Sequence, residues 1–217
     1  MKAAATATCK AASKTITITS EIAPITEVQA ELKDNDTLLV TWGETSCNQY
    51  EIRYSKGNKR NWETLYTEGK EDVLDDEDRT AEIDLDNAGI RKGSKYYITV
   101  VGVCDKSTSV AAGRSSVKAT DSFRRVAKVT RVKAVRLDIK KIRVSWKKTA
   151  SADGYKIYRK KRGEKYDKSK AYATTSRAYF IDRKAKKDFK YTYYIKSYQK
   201  GGETGQIEGP IKATEEI

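Results

Sequence analysis

The strongest constraint on this 217-residue chain is that its sequence repeats itself at an offset of about a hundred residues. Leu38, Val40 and Trp42 alternate with Leu39 and Thr41, and Ile142, Val144 and Trp146 alternate with Arg143 and Ser145. Each run reads as a half-buried strand ending in tryptophan. A second strand follows each: Tyr50, Ile52 and Tyr54 in the first copy, and Tyr155, Ile157 and Arg159 in the second, entered through the turn residues Ala152-Asp153-Gly154. The pattern recurs once more. Ile90 and a Lys92-Gly93 turn precede Tyr96, Ile98, Val100 and Gly102, while Ala185 precedes Tyr191, Tyr193, Ile195 and Ser197 at the same spacing. A last short strand is expected over Ser116 to Thr120 in one copy and Pro210 to Thr214 in the other, the proline being tolerable at an edge or a strand start.

Short alternating strands between Gly, Asn, Asp and Lys turns, with no helical periodicity, predict all-β sandwiches. The acidic stretch Glu68 to Asp86 lacks an apolar stripe at helical spacing, so it reads as a solvated loop leading into a strand at Thr80 to Leu85. Its run Asp72, Asp75, Asp76 and Asp78 lacks the Gly and Glu that a calcium-binding EF-hand loop places at its sixth and twelfth positions. With no His, three Cys and no C-x-x-C pair, the chain lacks the usual parts of triad hydrolases and zinc sites. Carboxylates such as Asp153 and Asp182 fall in expected turns, with nothing marking a shared cleft. No catalytic constellation, cofactor motif or metal site is expected. No apolar run approaches the roughly 18 residues needed to cross a bilayer, so no membrane insertion is expected. Charge divides the copies: residues 1 to 121 carry 16 Lys and Arg against 20 Asp and Glu, net −4, and residues 122 to 217 carry 28 against 10, net +18. A basic surface on the second copy favours anionic partners.

Together these residues resemble fibronectin type III modules. The likeness rests on Trp42 and Trp146 on the second strands, Tyr-x-Ile on the third, Tyr-x-Ile on the sixth, the entry Ala23-Pro24 and the closing Ser-x-Val-x-Ala-Thr. The wording of the second copy, including Ala152-Asp-Gly-Tyr-Lys-Ile-Tyr-Arg-Lys160, is similar to modules of secreted and cell-surface proteins of Gram-positive, clostridia-like bacteria. The resemblance implies one module over residues 22 to 121, a short linker over 122 to 125 in which Phe123 seats the modules together, and a second, strongly basic module over 126 to 217. Residues 1 to 21 resemble the tail of a preceding module, since Thr8-Cys9-Lys10 followed by Thr15 to Thr19 matches the segment from Val103 to Thr120; Met1 is then not a native start. It also implies that Tyr96 and Tyr191 are structural tyrosine corners whose hydroxyls bond backbone a few residues upstream.

In such a sandwich the third and sixth strands are antiparallel neighbours, which would bring Cys47 and Cys104 within bridging reach. The alternative is two free buried thiols, and a bridge would favour an oxidising, extracellular compartment. The sharpest binding hypothesis is the basic copy. Lys140, Lys141 and Arg143 flank one strand, Arg159, Lys160, Lys161 and Arg162 fill the next, and Tyr158, Tyr194 and Tyr198 are expected to lie outward among them. That face could hold a glycan or an anionic cell-wall polymer. The plainer alternative is a solvated face that keeps the sheet edges from pairing. No recognition helix or RNA-binding aromatic motif favours nucleic acid. The loops Lys148 to Gly154 and Lys200 to Pro210 are expected at one end of the second sandwich, the latter with a mobile Gly-rich tip, where variable contacts would lie. The expected role is a non-catalytic extracellular spacer and adhesion module that meets neighbouring domains of a longer chain, a cell-wall polymer or a host surface protein. The alternative is a carbohydrate-binding module accessory to a polysaccharide-degrading enzyme.

Overall fold

The computed structural model describes residues 22–47, 49–65, 79–104 and 112–217. All of its regular structure is β. The preceding-module reading of residues 1 to 21 and the acidic run 71 to 78 lie outside the described residues. In the first unit, β1 (Val28–Leu32), β2 (Thr37–Trp42), β3 (Gln49–Lys56), β4 (Glu63–Thr64), β5 (Thr80–Asp84), β6 (Tyr96–Cys104), β7 (Gly113–Arg114) and β8 (Asp121–Phe123) form two sheets. One runs β1-β2-β5; the other runs β4-β3-β6-β7, with β8 also on β6. The second unit repeats this plan with β9 (Thr130–Asp138), β10 (Lys141–Lys147), β11 (Gly154–Lys161), β12 (Ala173–Thr175), β13 (Tyr179–Asp182), β14 (Tyr191–Lys200), β15 (Gln206–Glu208) and β16 (Lys212–Ala213). Its sheets run β13-β10-β9 and β12-β11-β14-β15, with β16 also on β14. The chain is therefore a tandem of two β-sandwiches built on one plan.

Period-two alternation places each core. Leu38, Val40 and Trp42 are buried on β2, and Ile142, Val144 and Trp146 on β10. The register pairs Ile52 with Val100 in one unit and Ile157 with Ile195 in the other. Each tryptophan packs on the tyrosine that opens the facing sheet, Trp42 on Tyr50 at 5.2 Å and Trp146 on Tyr155 at 5.0 Å between ring centroids.

The closing strands depart from expectation. Strand pairing with β6 comes from β7 and β8 on either side of residues 116–120, where Ala119 donates its amide to the Ile25 carbonyl. In the second unit Pro210, with no amide to donate, separates β15 from β16. Residues 122 to 125 do not form a linker. Ser122 and Phe123 belong to β8, and Phe123 stacks on Tyr96 in the core of the first unit at 5.9 Å rather than between the units. The crossing comes between Val126, which joins the first core, and Val129, which joins the second.

Candidate functional site: the junction and the basic surfaces

The sandwich brings the two cysteines together. Cys47, just ahead of β3, and Cys104, at the end of β6, form a disulfide with Cα atoms 4.5 Å apart. Gly102 gives it room, since a Cβ there would lie a tight 3.1 Å from the Cys47 sulfur. Both tyrosine corners close: Tyr96 Oη accepts the Arg91 amide at 3.1 Å, and Tyr191 Oη accepts the Lys186 amide at 3.2 Å. A third tyrosine does similar work, Tyr155 Oη accepting the Thr149 amide at 2.8 Å.

The expected basic surface is split between two sheets. Lys140, Lys141 and Arg143 lie on the β9–β10 side, whereas Arg159, Lys160, Lys161 and Arg162 lie on and after β11 in the opposite sheet. Arg159 points inward. It donates to the fully buried Asp182 at 2.9 Å and lies 4.1 Å from the centre of the Tyr172 ring. Asp182 ends β13 instead of sitting in a turn, and it accepts from Tyr193 at 2.7 Å, Tyr172 at 3.0 Å and the Lys184 amide at 2.8 Å. Burial alone would raise the Asp182 carboxyl; the bonds from Tyr193, the Lys184 amide and Arg159 outweigh it and hold the group below the usual carboxylate range. Burial, with the bond to Asp182, drives the Tyr193 phenol upward. Lys161 lies 3.8 Å over the Phe189 ring, and Arg162 pairs with Glu216 at 3.8 Å.

The outer tyrosines are packed against each other and their neighbours. Tyr158 is buried beneath Tyr166, which stacks on Tyr194 at 4.2 Å. Burial pushes the Tyr166 phenol up to about 12. Tyr198 lies across Gly154, where a Cβ would meet its hydroxyl at 2.6 Å. Tyr158 is thus buried, while Tyr166, Tyr194 and Tyr198 are half-buried.

The most constructed feature is the junction end of the first unit, where Arg125 is only 1% exposed. All five guanidinium donors are used. Nε bonds the Asn35 carbonyl at 2.7 Å, Nη1 bonds the carbonyls of Leu85 at 3.0 Å and of Ile90, and Nη2 bonds the carboxylates of Asp36 and, at 2.6 Å, Asp86. Lys92 pairs with Asp36 at 2.8 Å; that hydrogen bond, then the one from Arg125, holds the Asp36 carboxyl below its ordinary value against partial burial. Asn35 bonds Val126 in both directions, accepting its amide at 2.6 Å and donating to its carbonyl at 3.2 Å. The second unit reaches back. Glu203 donates its amide to the Lys33 carbonyl at 3.0 Å and pairs with the Lys33 ammonium at 2.9 Å, Ile207 joins the first core, and Ser197 bonds the Ala127 carbonyl at 2.6 Å. Gly202, with φ at +73°, lies so close that a Cβ would sit 2.5 Å from the Lys33 carbonyl. The expected mobile tip of the Lys200 to Pro210 loop is thus seated on the neighbouring unit. As expected, that loop shares an end with Asp153, which accepts the Lys200 amide at 2.8 Å.

The sequence signals for this junction are thin. Arg125 is one of two adjacent arginines after Phe123, and its partners other than Ile90 sit in two separate Asp-x-Asp turns, Asp34 to Asp36 and Asp84 to Asp86. Among the described residues no group of His, Cys, Asp and Glu side chains could hold a metal ion, and no helix is long and apolar enough to cross a membrane.

No family model and no curated protein matches the chain. Among solved structures it is similar to a two-domain fibronectin type III segment of chicken tenascin, at 15% identity and a TM-score of 0.40, covering 90% of this chain and 99% of that one. It is also similar to the FN1–FN3 domains of chicken CNTN1, at 12% identity and a TM-score of 0.42, covering 90% of this chain and 66% of that one.

Proposed function

We propose that this chain is a non-catalytic extracellular spacer and adhesion module of a larger secreted or surface-anchored bacterial protein. The observation that carries the reading is the junction: Glu203 of the second unit bonds Lys33 of the first and Ile207 joins the first core, so the sandwiches meet through packed contacts, not through a Gly- or Pro-rich tether. A spacer needs that coupling, because it transmits position only if its units hold a fixed relation. The Cys47–Cys104 disulfide fits an oxidising compartment outside the cell.

A second reading is an accessory module for a glycan or an anionic cell-wall polymer. The observation in its favour is the outer face of β9 and β10, where Lys133 and Arg143 stand exposed and Arg143 lies 4.9 Å over the Tyr179 ring.

A glycan and cell-wall-polymer array, run near physiological ionic strength and again at several-fold higher salt, separates the two. The spacer reading expects silence, or binding to every polyanion that disappears with salt. Selective, saturable binding that survives the added salt would replace it with the accessory-module reading.

A further inference from the structure

The two sandwiches present the same pole with opposite chemistry. In the first unit the β1–β2 hairpin, residues Lys33, Asp34, Asn35 and Asp36, is the face on which the second unit sits. Counting from the two tryptophans, the corresponding β9–β10 hairpin holds Leu137, Asp138, Ile139 and Lys140. The turns match: Asp34 Oδ1 accepts the Asp36 amide at 2.7 Å, and Asp138 Oδ1 accepts the Lys140 amide at 2.8 Å. The exposed chemistry does not. Asn35 has become Ile139, Asp36 has become Lys140, and Leu137 and Ile139 stand 53% and 58% exposed.

Beside Ile139 runs a groove of about 330 Å³, floored by the buried Ala185 and walled by Lys140, Arg183, Lys184, Lys186 and Lys187. Its walls are held to the core. Arg136 ties the end of β9 to the opposite loop through the carbonyls of Lys186 at 3.4 Å and Phe189 at 3.1 Å, the tyrosine corner fixes the Lys186 amide, and Asp182 fixes that of Lys184. None of the five cations makes an ion pair with a described residue. Exposed aliphatic side chains ringed by unpaired cations on a fixed backbone fit an acidic polypeptide that carries apolar residues of its own. A polyanion would use the cations and leave Leu137 and Ile139 bare.

We infer that this pole docks the acidic segment of a second copy of the chain. Residues 71 to 78 read Glu-Asp-Val-Leu-Asp-Asp-Glu-Asp, six carboxylates around the apolar pair Val73-Leu74, which is the complement of Ile139 and its five cations. The segment must come from another copy. It belongs to the first unit, while the groove lies beyond the far end of β9, a strand of 9 residues spanning about 30 Å from the junction side. Because donor and acceptor surfaces differ, the contact is head-to-tail and does not stop at a dimer unless a ring closes. This inference does not rest on the spacer reading.

Sedimentation velocity of the intact chain over a range of concentrations, at low ionic strength and at several-fold higher salt, tests it. Wild type is expected to sediment faster as concentration rises and to lose that dependence in high salt. The exposed changes Ile139→Asp with Lys186→Glu, and separately Asp75→Lys with Asp76→Lys, are each expected to abolish association while circular dichroism melting confirms an intact fold. Combining Lys186→Glu with Asp75→Lys and Asp76→Lys in one chain, with Ile139 native, exchanges the charges of groove and segment and keeps the apolar contact. That triple variant is expected to recover part of the association. A monomeric wild type at low salt, association unchanged by Ile139→Asp with Lys186→Glu, or retention on heparin as the sole salt-sensitive interaction would overturn the proposal.

Discussion

A charged side chain that is 1% exposed, as Arg125 is, stays buried only when its donors are met, and here three backbone carbonyls and two carboxylates meet them. Replacing it with methionine keeps the stem and strands three carbonyls, so Arg125→Met should destabilise the chain by about 2 to 4 kcal/mol in urea unfolding. A loss below about 0.5 kcal/mol would show that the bonds are dispensable. Asp182 makes a second prediction, with a pH signature. Its carboxyl is held below its unfolded value, so it stabilises the fold above about pH 4 and that contribution is lost as pH falls through the depressed folded value. Asp182→Asn should lower the melting temperature at pH 7 and flatten the acid limb of the stability profile; an unchanged acid limb would remove Asp182 from the account. These residues were the least legible in the sequence. Arg159 sat in a core-facing register and could be read as cationic surface only because its acceptor, Asp182, lies 23 residues away on a strand of the other sheet.

Strands were far more legible, because period-two alternation ending in Trp42 and Trp146 specifies which face is buried before any partner is known. Pairing partners were another matter. Lys140 to Arg143 and Arg159 to Arg162 look adjacent along the chain, yet β10 and β11 belong to opposite sheets, so their cations face different directions. The closing strands were misplaced for a related reason: Ala119 turns its amide to Ile25 and Pro210 has none to give, neither of which is visible as periodicity. The element that the disulfide ties down gives a clear test. Cys47→Ser with Cys104→Ser should cost the first unit about 2 to 4 kcal/mol, mainly through a less restricted unfolded chain, and leave the melting of the second unit in place. Equal loss in both units would mean that the sandwiches unfold as one cooperative body.

At the scale of the whole molecule, the apolar contacts of Val126 and Ile207, the paired bonds between Asn35 and Val126, and the Lys33 to Glu203 contact surround Arg125 and couple the sandwiches. A chain built this way passes a fixed geometry from one module to the next, and its net charge of −4 on one part and +18 on the other gives it poles of opposite sign. The measurement that bears most directly on this account is a set of backbone residual dipolar couplings from the weakly aligned protein. The account expects the couplings of both sandwiches to fit a single alignment tensor, and to separate into two tensors of different magnitude in Glu203→Ala with Ile207→Ala. Two distinct tensors in the wild-type chain would contradict it, because the units would then move independently and the Lys33, Glu203 and Ile207 contacts would couple nothing.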